Sequence, residues 1–459
     1  MAFQIPDSVC SVLLCLRNAG YRAVPVGGCV RDLLRGVVPH DWDVTTSATP
    51  DEVQSVFATC SGLKTLPTGK KYGTVTVLAD NTAVEVTTFR ADSVYTDGRR
   101  PDSVCFSRNL EEDLARRDFT INAMCLGEEG EIIDLFGGQK DLRDGVIRAI
   151  GNPYQRVTED ALRILRALRF AATLDFTIAP QTADSLLRHT DWLTHLSAER
   201  VSAEFLRLIC APAAERVLLE FRKIIFAIIP ELEFKGSHCD ACEYLGTGAF
   251  VCGVRALTFA PPEPALRMGL LLKAVGSQEA ALQGASTAKE ILLRLRLPKK
   301  LCEDVVFLVM HQDMPLYSAD RKTIKQCLLD FGETRLTRLL ALQTSDAHTL
   351  PNALLQERLV LLEQTGNLIQ QVLDEVPVLS LSQLAVTGSD LIAVGVTQGP
   401  QLGEMLWMLL GKVLFEELPN EKAALLGAVK AYMTDTCAGA KRTGSNTQNN
   451  HAQSQPGLF

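Results

Sequence analysis

No stretch of the 459-residue chain approaches the roughly 18 consecutive apolar residues that a helical membrane span needs. A surplus of positive charge is also missing: 46 Lys and Arg stand against 54 Asp and Glu, a net charge of −8. That excludes a surface given over wholly to phosphate contacts, but not a local basic stripe on an acidic body. The opening residues, MAFQIPDSVCSVLLCL, lack a basic leader and carry Asp7 within the apolar stretch, so they read as an amphipathic helix and not a signal peptide. Thirteen cysteines without a secretion signal fit reduced thiols, and a cytoplasmic protein is expected. A single C-x-x-C beside His238 (Cys239, Cys242) has no second pair to complete a zinc site.

What is present suits a soluble globular protein of several domains, with 47% hydrophobic and 22% charged residues. The most informative stretch is 24–51, VPVGGCVRDLLRGVVPHDWDVTTSATPD. It starts as a buried strand and breaks at Gly27-Gly28. A short helical pattern follows (Val30, Leu33, Leu34), and then a second strand carrying Asp41 and Asp43. Strand side chains alternate, so Asp41 and Asp43 share a face and Trp42 takes the other. Two carboxylates so close need a cation, and hard oxygen ligands suit Mg²⁺. The glycine pair lets backbone N–H groups approach a phosphate at a helix start, so that Gly28 and, one turn on, Arg31 would hold it. A phosphate cradle beside a carboxylate pair is equipment for phosphoryl or nucleotidyl transfer.

Around it, helices are expected over 7–19 and 52–58 and strands over 73–79 and 83–89. Glu85 reads either as an ordinary outward-facing strand residue or as a further carboxylate for the site. Residues 90–109 form a polar, turn-rich loop, 110–124 open a helix with an acidic first turn, and 131–137 add a short strand. After that the chain is helical. Over 158–172, TEDALRILRALRFAA, one helix is expected with Thr158 as its cap and Leu162, Leu165 and Leu168 as its apolar stripe. Asp160, Arg163, Arg166 and Arg169 recur every third residue. They form either a salt-bridged surface ridge or a base-reading edge, in which a carboxylate accepts from the amino group of cytosine or adenine and a guanidinium donates to ring acceptors. The arginines of 90–117 and 163–169 are the candidate basic stripe.

These motifs resemble those of the class II tRNA nucleotidyltransferases (CCA-adding enzymes) and their relatives, the bacterial poly(A) polymerases. The chain matches GG-x-VRD-x-L-x-G, P-x-D-x-D and T-x-ATP-(D/E)-E through Gly27, Gly28, Val30, Arg31, Asp32, Gly36, Pro39, Asp41, Asp43, Thr46, Ala48, Thr49, Pro50, Asp51 and Glu52. It also matches D-L-x-RRDFT-x-NA at 113–123 and ED-x-LR-x-LRA-x-RFAA at 159–172. The resemblance implies an α+β fold: a nucleotidyltransferase head with a small mixed sheet (1–152), then an all-α neck (153–225), body (226–370) and tail (371–435), with 436–459 disordered.

It further implies Mg²⁺ on Asp41 and Asp43, with Glu85 as a third catalytic carboxylate. Arg117 would contact the nucleotide's phosphates or ribose, with Asp118 beside the ribose. Asp160 and Arg163 would select the base, and Arg166 and Arg169 would hold the triphosphate. Implied partners are tRNA, CTP and ATP, and the loop at 90–109 goes with addition of the final A. The ERVSAEFLRLI helix at 199–209 is expected to brace rather than react. Relatives with a phosphohydrolase (HD) domain carry LLHDIGK where this chain has Lys273-Ala274, so no hydrolase chemistry is expected there, and His311, one imidazole that makes no site, reads as a surface helix histidine. The tail element at 384–430 is either a tRNA-elbow contact or a packing module. A poly(A) polymerase, a CC-only enzyme and a non-catalytic RNA-binding protein are the rival readings.

Overall fold

The computed structural model describes residues 3–66, 69–80, 82–91, 105–233, 248–275, 281–375 and 380–443. The chain forms two compact units, Met1–His311 with His348–Pro351, and Gln312–Ala347 with Asn352–Phe459. In the first, strands β1 (Ala23–Pro25), β2 (Trp42–Thr46), β3 (Leu63–Leu66), β4 (Thr74–Ala79) and β5 (Thr82–Thr88) make one sheet ordered β1-β2-β5-β4-β3. All neighbours are antiparallel except β2 and β5, which run parallel with Asp43 opposite Glu85.

One face of this sheet is apolar. Val44, Val75, Val77, Val84 and Val86 pack with Val9, Val12 and Leu16 of α1 (Asp7–Asn18) and with Val53 and Phe57 of α3 (Pro50–Thr59). The start of α3 is written in its sequence: Pro50 takes the first turn, and Thr49 and Glu52 cap each other's backbone N–H groups. The other face of β2 and β5 carries Asp43, Thr45, Glu85 and Thr87 and is left for the site.

Helix α2 (Gly28–Leu34) joins β1 to β2, and α4 (Leu110–Ala115) leads to the hairpin β6 (Met124–Leu126) and β7 (Ile132–Asp134). Val26 bridges to Cys125 and so ties the hairpin to the first strand. Then come α5 (Gly138–Asp144), β8 (Val146–Ile147), α6 (Pro153–Glu159), α7 (Leu162–Leu174), β9 (Thr177–Ile178), α8 (Pro180–Arg188) and α9 (Ala198–Ile209).

The single helix expected over 158–172 is two. Asn152, not Thr158, caps α6, while the Thr158 hydroxyl donates to the Gln155 carbonyl. The break falls at Asp160 (φ −147°, ψ 103°), whose Oδ1 accepts the Leu162 N–H at 3.0 Å. A short acidic side chain has competed with the backbone for a helical N–H. Beyond the break, the expected stripe of Leu162, Leu165 and Leu168 is buried, and α7 packs on α9. Ser197 sits at the cap position of α9 but makes no side-chain cap bond.

The first unit continues through helices Ala249–Ala256, Pro264–Leu272, Ala281–Arg294 and Lys299–His311. The second unit holds Arg321–Phe331, Glu333–Ala347, Asn352–Glu375, Gly388–Ala393, Pro400–Leu414 and Lys422–Thr443, with a core of its own around Leu391, Leu409, Leu410, Leu425 and Val429. The two units divide at His311/Gln312, and residues 370 and 371 lie inside helix Asn352–Glu375. The last helix runs to Thr443, into the stretch expected to be disordered from 436, and the rest of that stretch lies outside the described residues. Among the described residues no helix is long and apolar enough to cross a membrane.

Candidate active site

A cleft of about 670 Å³ in the first unit is lined by every site residue singled out from the sequence: Gly28, Arg31, Asp41, Asp43, Glu85, Arg117, Asp160, Arg163, Arg166 and Arg169. Residues from β2, β5, α2, α7 and the segment that follows α4, up to 141 positions apart, meet there.

β2 begins at Trp42, so Asp43 lies in the strand and Asp41 one residue before it. Trp42 faces the core at 5% exposure, as the alternation requires. The Asp41 side chain is 91% exposed and lies 3.0 Å from His40 Nδ1. Burial raises the Asp43 carboxyl above its ordinary value; Arg117 pulls it down, and Glu85 and Asp41 push it up again. Glu85 is exposed, yet its register opposite Asp43 turns it toward the cleft, so the outward-facing reading and the third-carboxylate reading describe one and the same position. Among the described residues no three His, Cys, Asp or Glu side chains make a closed metal cage. Mg²⁺ asks for less, because it keeps several waters and binds through one or two carboxylates plus substrate phosphates. An aspartate whose carboxyl is raised by burial, with neighbouring negative charge adding to it, is a donor that a cation relieves.

Gly27 has φ +82°, and a Cβ there would come within 3.1 Å of Arg117 Nη1. The absence of a side chain at Gly27 therefore lets Arg117 approach the chain at the start of α2. Arg31 donates to Asn122 Oδ1 at 2.9 Å and pairs with Asp32 at 3.0 Å. Asn109 caps α4, which carries Asp113, a fully buried carboxylate that accepts from Thr45 Oγ1, the Arg90 N–H, Arg116 and Arg117. Arg117 Nε is buried without a hydrogen-bond partner, an unspent donor beside the carboxylates.

Asp118, expected beside a ribose, lines the cleft and accepts from Arg166, at 2.8 and 2.6 Å, from the Phe119 N–H and from Asn122. Burial alone would raise its carboxyl; the charge and hydrogen bond of Arg166, with Asn122 and Arg163, more than reverse this and hold it at about 2. Arg169 and Arg166 both reach Glu204 of α9. Asp160 and Arg163 line the cleft together; the Arg163 N–H donates to the Asp160 carbonyl at 3.0 Å, but their side chains bond other groups. Asp160 Oδ2 accepts from Arg200 at 2.8 Å, whereas Arg163 donates to Glu159 and to the carbonyls of Arg156 and Arg116. Arg200 and Glu204 are the residues missed. Their signal was ERVSAEF at 199–205, read as bracing; the structure shows that what the helix braces is the site.

Of the expected loop at 90–109, residues 92–104 lie outside the described residues, as do His238, Cys239 and Cys242. The base of the loop is seen, with Arg90 bridged to Phe106 and the Ser107 N–H donating to the Phe89 carbonyl. His311 hydrogen-bonds the Phe307 carbonyl at 2.9 Å and stacks on the Phe307 ring.

Three family models match the chain: a Poly A polymerase head domain over residues 23–148, a probable RNA and SrmB-binding site of polymerase A over 175–234, and a putative tRNA nucleotidyltransferase domain 2 over 281–429. A CCA-adding enzyme of Levilactobacillus brevis is 37% identical over 91% of this chain and 96% of its own length. One from Streptococcus agalactiae is 33% identical over 92% and 96%. The crystal structure of the Bacillus stearothermophilus CCA-adding enzyme in complex with CTP superposes with a TM-score of 0.69 at 30% identity, covering 96% of this chain and all of that one. With identity of this order running nearly end to end, this chain belongs to the CCA-adding enzymes, a family of tRNA nucleotidyltransferases.

Proposed function

We propose that this protein extends the 3′ end of tRNA by C, C and A, using CTP and ATP without a nucleic-acid template and releasing pyrophosphate. The observation that carries this reading is one cleft holding Asp41, Asp43 and Glu85 on the sheet side and Asp160 and Arg163 on the helical side, with Asp160 paired to Arg200 behind it. Asp41 and Asp43 would hold Mg²⁺, which when bound lowers the pKa of the RNA 3′-hydroxyl and neutralises the triphosphate. Glu85 adds negative potential that strengthens the same cation site. Arg31 and Arg117, beside Gly27 and Gly28, donate to the phosphates, and Arg166 and Arg169 extend that cationic wall. The 3′-oxygen displaces pyrophosphate from the α-phosphorus while these residues fix its line of approach.

Base choice falls to Asp160, held in place by Arg200 and backed by Arg163. Its carboxylate accepts from the amino group of cytosine or adenine and repels the carbonyl oxygen that uracil and guanine place there. In this reading the head spans 1–152 and the neck 153–225, and the protein works in the cytoplasm, where tRNA ends are finished. A second reading, polyadenylation, draws on the two family models that carry the polymerase name. The deciding experiment supplies purified protein and MgCl₂ with a tRNA ending at its discriminator base and with labelled CTP, ATP, UTP and GTP, singly and mixed. Growth by three nucleotides that then stops is expected. A long A ladder means polyadenylation, and no growth with intact RNA binding leaves a non-catalytic binder.

A further inference from the structure

A single aromatic ring stands where an arginine of the sheet side meets two of α7. Phe170 is 7% exposed and borders the cleft. The guanidinium carbon of Arg169 lies 4.0 Å from its ring centroid, and those of Arg31 and Arg166 lie 5.4 Å away. Phe119, 1% exposed, supports the ring edge-on at 5.9 Å and 81°. We propose that Phe170 is a positioning residue for nucleotide binding, its ring gathering Arg31, Arg166 and Arg169 into one preassembled face that receives the triphosphate. This deepens the nucleotidyl-transfer reading above and rests on it.

Three guanidinium groups around one cleft repel one another, and each must be held without using up the N–H donors that a phosphate needs. Their carboxylate partners do use donors: Arg31 pairs with Asp32, Arg166 with Asp118 and Arg169 with Glu204. An aromatic face does not, since its quadrupole attracts a cation within about 6 Å of the centroid while the N–H edge stays available. The hydrogen bonds of Arg31 go to Asp32 and Asn122, both before α6, so the Phe170 ring is its described interaction with α7. When the anion arrives, each arginine can exchange a carboxylate for phosphate oxygens and keep its place against the ring. Less ordering is then left for the binding step.

The test compares Phe170→Leu, which keeps an apolar side chain but loses the quadrupole, with Phe170→Tyr, which keeps the face. Full-length variants are assayed for CMP and AMP addition, for CTP affinity by equilibrium dialysis, and for melting temperature. Phe170→Leu is expected to raise KM for both nucleotides and the CTP Kd about 5- to 30-fold, with kcat within about twofold and KM for tRNA unchanged. Phe170→Tyr is expected to stay within about twofold of the parent protein. Parent-like nucleotide KM in Phe170→Leu overturns the proposal, as does a Tyr variant equally impaired, or losses in kcat and tRNA KM that track a lowered melting temperature. Should the Leu variant not fold, Phe170→Met replaces it, and parent-like CTP affinity there overturns the proposal equally. If the parent protein itself adds no nucleotide, the functional reading fails separately, and CTP dialysis across the variants still decides what the ring does.

Discussion

At Asp43 burial and the charges of Glu85 and Asp41 outweigh the pull of Arg117, so its folded carboxyl titrates above the ordinary value. For a carboxyl raised in this way, the contribution to stability is present at low pH and is lost as pH rises through the folded value. Near neutrality the metal-free protein therefore carries the cost of a buried charge, increased by its acidic neighbours, that Asp43→Asn removes. Thermal melts at pH 7.5 without divalent ions should show the variant about 1–3 °C above the parent. Nucleotide addition should fall about 10³-fold or more in the same variant, a metal site being worth several kcal/mol at the transition state. MgCl₂ should raise the melting temperature of the parent more than that of the variant, and equal rises would refute the assignment of Asp43 as a ligand. Asp118 has the opposite sign. Held at about 2 by Arg166 and its neighbours against burial, it contributes stability that is present above the ordinary carboxylate range and lost as pH falls toward 2. Between pH 5 and 3 the melting temperature of the parent should fall further than that of Asp118→Asn.

The break between α6 and α7 shows what helical periodicity conceals. The Leu162, Leu165 and Leu168 stripe was legible because burial on one side of a helix leaves a period in the sequence. The break at Asp160 left none, because the flanking residues are good helix formers and the interruption is a side-chain hydrogen bond to Leu162. For the same reason Arg200 was invisible as a site residue. It lies 40 positions from Asp160, and only the packing of α9 on α7 brings them to 2.8 Å. By contrast, β2 and the TPDE start of α3 were nearly complete in the sequence, since strand alternation and capping are local rules. In the proposed reading Asp160 thus has two tasks, accepting the first N–H of α7 and choosing the base, and they are separable. Asp160→Asn keeps a good cap, so its melting temperature should match the parent, while Asp160→Ala should lose some stability, about 1 kcal/mol. Both should lose discrimination of CTP against UTP by about 5- to 150-fold, the worth of one base-edge contact. Competition assays with labelled CTP and UTP measure this, and undiminished selectivity in the Asn variant would separate base choice from Asp160.

Over the whole chain, a net charge of −8 coexists with a cleft that draws arginines from both basic clusters of the sequence: Arg90, Arg116 and Arg117 from the first, and Arg163, Arg166 and Arg169 from the second. Overall charge did not reveal the arginine-lined cleft, whereas clustering did, because the field at a concave surface depends on nearby charges and only weakly on the total. The division into units was the least legible feature. Both are helical at the join, and helices Lys299–His311 and Arg321–Phe331 follow one another with no change in composition to mark a boundary. Each unit nevertheless has its own apolar core, so unfolding should not be a single two-state event. The cleft lies wholly within the first unit, and a ligand stabilises only the structure that binds it. At about 100 times its Kd, CTP with Mg²⁺ should stabilise the first unit by roughly 2.7 kcal/mol and leave the second unchanged. Hydrogen exchange read by mass spectrometry resolves this directly. Amides of β2, β5, α7 and α9 should exchange more slowly with CTP present, while those of helices Pro400–Leu414 and Asn352–Glu375 keep their rates. Equal slowing in both units would place nucleotide binding elsewhere than in this cleft.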